Sequence, residues 1–340
     1  MKKLMSVFVL ALFGLFGMES LSAQQHVGKL ANKPLFRDPI YDGAADPVVI
    51  WNKKEKKWFL FYTNRRASDT LATGVTWVHG TRIGIAESKD GGATWKYRDT
   101  ANIKYRPTPD YTHWAPEVIE HEGTYHMYLT YVPGVFKDWG HPRDIIHLTS
   151  KDLLNWDYVS TLKLASDKVI DACVIKRPDA TWRMWYNNER DSKSIYYADS
   201  KDLNNWETKG KAVSDRGGEG PKVFYWKGKY WMLVDNWAGM GLYYSNDLLK
   251  WTKQPERLLE FPGKGLEDQA IGGHADVVIQ GDRAFVYYFT HPGRSKAKPA
   301  PENSIDSRRS LIYVAELEYN KDGFITCDRD KPVYVNLKKK

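Results

Sequence analysis

Five times along this chain, a short apolar strand with a polar residue near its start is followed closely by a second, aromatic-rich strand. The first members read Ala45–Ile50 (ADPVVI), Trp114–Ile119 (WAPEVI), Ile170–Ile175 (IDACVI), Gly218–Phe224 (GEGPKVF) and Gly273–Ile279 (GHADVVI). Their partners are Lys57–Tyr62, Thr124–Leu129, Trp182–Tyr186, Lys229–Val234 and Arg283–Tyr288. A repeat of this kind outranks any single motif, because it dictates the architecture.

A second signature runs in step with the first. Ser88-Lys89-Asp90 precedes Trp95, Ser150-Lys151-Asp152 precedes Trp156, Ser200-Lys201-Asp202 precedes Trp206, and Ser245-Asn246-Asp247 precedes Trp251. Each follows a third strand: Ile83–Ala86, Ile145–Leu148, Ser194–Ala198 or Gly241–Tyr244. A Ser-x-Asp turn can hydrogen-bond its own backbone, which suits a tight connection. The Trp behind it is expected to plug the gap between neighbouring units without touching ligand. Four antiparallel strands per unit, recurring about every 45 to 60 residues, predict blades of a β-propeller. The fold expected is therefore all-β, a five-bladed propeller. The fifth unit lacks the Ser-x-Asp-Trp piece, and Leu311–Leu317 supplies its third strand. Its last outer strand is expected to be shared with the segment around Leu35–Asp38, closing the ring and hiding sheet edges.

The first residues read as a targeting segment. Lys2 and Lys3, an apolar run from Val7 to Phe16 and Leu21-Ser22-Ala23 form a secretory signal peptide over 1–23, with cleavage expected after Ala23. It is too short and wrongly flanked for a membrane span. Residues 24–340 then form one propeller domain, destined for the periplasm or the exterior. Nothing later is long and apolar enough to cross a membrane. Two cysteines, Cys173 and Cys327, are expected to be free, and a disulfide framework is excluded by count. The net charge of +8 comes from evenly spread Lys and Arg and one dense terminal run, Lys338-Lys339-Lys340, so nucleic acid is not the expected partner. Fourteen Trp and twenty-one Tyr exceed what a core needs, and sugar-binding clefts use aromatic faces in this way.

Innermost propeller strands line a central channel, so residues at one level of successive strands converge. Asp46, Glu117 or Trp114, Asp171, Glu219 and His274 occupy the matching level. Three carboxylates among apolar neighbours are costly to bury and push their pKa values apart, which fits acid–base chemistry better than stability. No zinc-type spacing exists among the nine His residues, which argues against a catalytic transition metal.

The ordered set Ala45-Asp46-Pro47, Trp114-Ala115-Pro116-Glu117, Ile170-Asp171-Ala172 and Glu219-Gly220-Pro221 resembles glycoside hydrolase family 43 and its five-bladed relatives, over almost all of residues 24–340. The resemblance implies Asp46 as general base, Asp171 as the residue that tunes pKa and orients, and Glu219 as general acid. It also implies inversion, in which acid and base stand about 6.5–9.5 Å apart to admit a water, and the third carboxylate raises the pKa of the acid. No cofactor is implied. A His at the place of His274 lies on the channel axis near a calcium ion or water cluster in many relatives, so a structural calcium is admitted there. A related family acting on anhydro-galactose ends carries a His in place of the blade-four acid; Glu219 is present here.

Loops beyond the partner strands should rim the site. Trp114, Glu117, Arg65, His79, His274 and Arg294 are the expected substrate contacts. An anionic sugar is favoured if Arg65 and Arg66 both face the channel. Insertions at 64–82 and 131–144, the latter with Trp139 and His141, are expected to wall the pocket and favour release of a terminal sugar. The expected activity is an exo-acting, inverting glycosidase on oligosaccharide or polysaccharide fragments of plant or algal origin, acting as a monomer. The terminal sugar would be arabinofuranosyl, xylosyl, galactosyl or a related, even anionic, residue. A non-catalytic glycan-binding propeller and a protein-interaction propeller are the alternatives.

Overall fold

The computed structural model describes residues 27–339; the expected signal peptide over 1–23 lies outside them. Five antiparallel sheets stand around a channel as the blades of a β-propeller. The inner strands are Ala44–Asn52, Thr112–His121, Val169–Lys176, Glu219–Trp226 and Gly272–Gln280. Behind them stand Lys57–Asn64, Thr124–Val132, Trp182–Asn188, Lys229–Asp235 and Arg283–Thr290. Among the described residues, no helix is long and apolar enough to cross a membrane.

The Ser-x-Asp turns do what their chemistry predicts. In blade two the Ser150 hydroxyl accepts the Leu153 N–H at 2.9 Å, and Asp152 accepts the N–H groups of Leu154 and Asn155 at 2.9 and 2.8 Å. The tryptophans fill the seams. Trp156 stands edge-on to Phe61 of blade one at 6.0 Å, Trp206 to Tyr128 of blade two at 5.5 Å, and Trp251 to Trp185 of blade three at 6.0 Å. Both cysteines are free.

Two details depart from expectation. Blade five builds its own outer strand, Ile325–Cys327, against Leu317–Tyr319. The segment around Phe36 meets only the other end of that edge, where Leu35 and Phe36 N–H groups bond the Ile312 carbonyl at 2.9 and 3.1 Å. The ring is latched further by Lys29–Leu30 pairing with Tyr334–Val335. Residues after that pair lie under blade one, where the Leu337 carbonyl accepts the Trp58 indole N–H at 3.1 Å. Blade two gains a fifth strand, because Asn102–Ile103 pairs in parallel with the outer strand Asn155–Thr161 before the chain turns inward.

Every inner strand carries a one-residue bulge at the same place. The extra residue falls at Asp46-Pro47, Ala115-Pro116, Asp171-Ala172, Gly220-Pro221 and His274-Ala275. A bulge re-aims side chains and sharpens twist, and bulges recur beside active sites. Its first residue is left-handed in four blades, with φ of 53°, 42°, 60° and 55° at Asp46, Ala115, Asp171 and Gly220. Asp tolerates that conformation better than most residues and Gly adopts it freely. The bulge turns the chemistry-bearing positions toward the channel mouth.

Candidate active site

The bulges assign true levels. Asp46, Asp171 and His274 are equivalent; Glu219 starts one residue earlier, opposite Asp235 in the neighbouring strand. Glu117 is two positions beyond the bulge's first residue, Ala115, on a deeper level with Val48, Cys173, Lys222 and Asp276. The single level expected from sequence is therefore two layers, because a bulge adds a residue that a strict period of two cannot anticipate.

The upper layer gathers the acidic groups. Asp46 and Asp171 are 4% and 5% exposed, and His274 Nδ1 lies 3.5 Å from Asp46 Oδ1 and 3.8 Å from Asp171 Oδ2. Arg65 Nη2 reaches both Asp46 oxygens at 3.0 and 3.3 Å. Burial alone would raise the pKa of Asp46, but Arg65, His274 and the Thr63 hydroxyl together hold it below the ordinary carboxylate range. Asp171 accepts the Gly220 N–H at 3.0 Å, yet burial and then the charges of Glu219 and Asp46 push it well up. Glu219 is partly open to the mouth and is pushed up to about 7, by burial first and then by Asp235 and Asp46. One carboxylate is thus held ionised and another held protonated near neutrality.

Asp235, not among the site residues expected above, belongs to the same group. It ends the second strand of blade four, at the position of Thr63, Thr130 and Asn187 in blades one to three. Each of those residues secures the next blade: Thr63 accepts the Ala115 N–H at 2.8 Å, Thr130 the Asp171 N–H at 3.1 Å, and Asn187 donates to the Gly218 carbonyl at 2.6 Å. Asp235 does the same for His274 N–H at 2.8 Å and adds a buried charge beside Glu219. Its own pKa is pushed up to about 6, chiefly by burial. The signal was available in the repeat: a carboxylate where blades one to three carry Thr or Asn and blade five carries Phe289.

The rim is built as follows. Trp114 is nearly buried, its indole N–H bonded to the Val78 carbonyl at 2.6 Å, with the Arg143 guanidinium 5.3 Å from its ring. Arg143 forms a buried pair with Glu189 at 2.7 Å. His79 is 1% exposed and packs behind Trp114 and Trp139, so the structure does not bring it to the channel surface. Its imidazole is kept neutral, with a pKa of about 4, by burial. Trp139, 52% exposed, takes the outward place. Arg65 also touches His291 Nε2 at 3.3 Å; that ring carries its hydrogen on Nδ1, which faces the Arg309 carbonyl at 2.7 Å. Arg66 turns away, to Asp69 at 3.3 Å and the Thr76 carbonyl at 2.8 Å. Arg294 lies over Trp77 and donates to the Ser307 carbonyl at 2.8 Å; among the described residues it has no carboxylate partner.

Beneath this layer the channel axis holds the chain's own cation. The Lys222 ammonium sits 2.9 Å from Glu117 Oε2 and 2.8 Å from Asp276 Oδ1. The remaining oxygens accept N–H groups of the next blades, Val174 at 3.1 Å and Val49 at 2.8 Å. Glu117 is thus committed to the floor and not to the group around Asp46. These residues do not fit the axial calcium that the resemblance admitted. His274 faces two carboxylates with an ammonium below, and no cluster of three or more metal-binding side chains occurs among the described residues. Beyond the floor a cavity of about 400 Å³, lined mainly by apolar residues such as Val48, Ile50, Val118 and Val277, faces the other end.

The profile of Glycosyl hydrolases family 43 matches residues 36–325. Among solved structures, a thermostable family-43 glycoside hydrolase superposes with a TM-score of 0.65 at 19% identity, covering 89% of this chain and 100% of that one. An endo-1,4-beta-xylanase from Bacteroides thetaiotaomicron gives 0.61 at 20% identity, over 88% and 98% of the two chains. A family-43 beta-1,3-galactosidase bound to galactodeoxynojirimycin gives 0.61 at 13%, over 86% and 96%. A search of curated protein sequences returns no match.

Proposed function

The chain belongs to glycosyl hydrolases family 43 and is a glycoside hydrolase, and from that premise we propose that it releases a terminal sugar from an oligosaccharide with inversion. Glu219 serves as general acid, Asp46 as general base, and Asp171 orients the two. The observation that carries this reading is that Asp46, Asp171 and Glu219 meet at one channel mouth with different partners: Arg65 lies 3.0 Å from Asp46, while Glu219 stands opposite a second carboxylate, Asp235. An acid must arrive protonated and a base ionised, and here separate neighbours enforce each state.

Exo action is supported by the two insertions, which join where the Val75 N–H meets the Lys137 carbonyl at 3.3 Å and carry Trp139 above Trp114. A neutral terminal sugar of the arabinofuranosyl, xylosyl or galactosyl kind fits better than an anionic one. Arg65 is spent on Asp46 and Arg66 on Asp69, which leaves Arg294 as the one rim guanidinium of the three without a carboxylate. Residues 1–23 suit export to the periplasm or beyond.

The test is a panel of aryl glycosides and defined oligosaccharides, followed by NMR in the first minutes of turnover. The expected result is a monosaccharide released in the anomeric configuration opposite to that of the bond cleaved. Retained configuration, or mid-chain products from a polymer, would refute the reading.

A further inference from the structure

We infer that His291 is a positioning residue for the general base: through Arg65 it fixes the orientation of the Asp46 carboxylate. The inference rests on the reading of Asp46 as base. Arg65 and His291 are repeat equivalents. Each lies two residues beyond the partner-strand residue paired just ahead of the bulge, Thr63 in blade one and Phe289 in blade five. They meet where blade five closes on blade one, and the guanidinium works as a two-ended bracket. Nη2 reaches the Asp46 oxygens at 3.0 and 3.3 Å, while Nη1 meets His291 Nε2 at 3.3 Å. The central carbon of the guanidinium lies 4.6 Å from the centre of the Phe289 ring.

The His291 ring is itself tightly placed. It is 8% exposed, with Phe289 edge-on at 5.4 Å and Trp77 edge-on at 6.1 Å. Its Nδ1 lies 2.7 Å from the Arg309 carbonyl, which accepts and cannot donate, so a hydrogen sits on Nδ1. In the neutral ring Nε2 then carries a lone pair. An Arg N–H donates and cannot accept, so the contact has one polarity, from Arg65 to His291. The charged groups facing the ring, Arg65 and Arg294, are both cations; burial and then these charges keep it neutral. His291 is thus an acceptor anchored to backbone on one side and aimed at Arg65 on the other.

This matters because Asp46 must aim a lone pair at the water that adds to the anomeric carbon. A small displacement of a catalytic group costs rate steeply. An Arg side chain has many rotamers, and one held by Asp46 alone would let carboxylate and guanidinium swing together. The second contact, to a ring that cannot turn, removes that freedom. The loop Thr290-His291-Pro292-Gly293-Arg294 therefore serves the base through its His, while its Arg faces Trp77.

The experiment separates the two contacts of the ring. In H291Q the amide oxygen takes the place of Nε2 and can still accept from Arg65; in H291N the amide nitrogen takes the place of Nδ1 and keeps the Arg309 bond alone. Circular dichroism and melting establish that both variants fold. H291N is expected to lose about tenfold in kcat with KM little changed, and H291Q no more than about threefold. Burial works to protonate Asp46 and the Arg65 charge works against it, so a loosened Arg65 should move the acidic limb of kcat/KM upward. A rise of about half a pH unit is expected in H291N and not in H291Q. R65M should lose more, and adding H291N to it should change little further, because His291 acts through Arg65. An unmoved acidic limb in H291N, the reverse order of the two variants, or losses that add in the double variant would overturn the inference. If the wild-type enzyme hydrolyses no glycoside, or D46N retains full activity, the assignment of Asp46 fails instead.

Discussion

Glu219→Gln is expected to lower kcat/KM on glycosides with poor leaving groups by about a thousandfold, the middle of the 10²–10⁴ range that general acids supply. The loss on a glycosyl fluoride should be far smaller, because fluoride departs without a full proton. The amide keeps the shape of the carboxyl group, so folding is expected to persist. The pH profile adds an independent check. Activity needs Asp46 ionised and Glu219 protonated at once. Glu219 is raised to about 7, so the alkaline limb of the wild-type enzyme should fall near pH 7. Asp46 is lowered, so the acidic limb should lie below the ordinary carboxylate range. E219Q is expected to lose the alkaline limb and keep the acidic one. Retention of both limbs with high activity would assign the acid to another residue, with Asp235 the first to examine.

The repeat made the blades legible because each unit needs the same buried inner strand, aromatic partner and Ser-x-Asp turn. It made Asp46, Asp171 and Glu219 visible as a set for the same reason. What it blurred was level. A strand read with period two places Glu219 beside Asp46 and Glu117 in the same ring, whereas the bulge sets Glu219 one residue earlier and drops Glu117 to the floor. His79 shows a different limit. A polar residue in a rim loop is expected to face solvent, but the aromatic packing of Trp114, Phe136 and Trp139 encloses it. Lys222 escaped notice because a lone Lys on a strand reads as an edge or surface residue. Its partners, Glu117 and Asp276, lie 105 and 54 positions away in sequence, in blades two and five. Only closure of the propeller puts them in contact. The same closure explains why the axial cation is an ammonium: two carboxylates already anchored by N–H groups of their neighbours leave one inward oxygen each.

Lys222→Met is therefore expected to destabilise the protein by about 3–5 kcal/mol at pH 7, since removing one partner of a buried ion group leaves uncompensated charge. Two carboxylates, Glu117 and Asp276, would face each other across an apolar side chain at the channel centre. The pH dependence has a defined sign. In the variant, the folded-state pKa of Glu117, already raised by burial, rises further once the Lys222 ammonium that lowers it is gone. The penalty is then fully present at high pH and shrinks as pH falls through the raised folded-state value of Glu117. The gap in melting temperature between wild type and K222M should accordingly narrow from pH 8 to pH 5. Combining Lys222→Met with Glu117→Gln and Asp276→Asn should recover much of the loss at pH 7, because each amide keeps an oxygen for Val174 or Val49. A calcium chelator is expected to leave the melting temperature and activity of the wild-type protein unchanged, whereas added calcium should raise the melting temperature of K222M, whose two carboxylates lack their ammonium. Equal stability of K222M and wild type would refute the account, as would a wild-type protein that melts earlier in chelator. The floor beneath the acid and base would then be held by something other than Lys222.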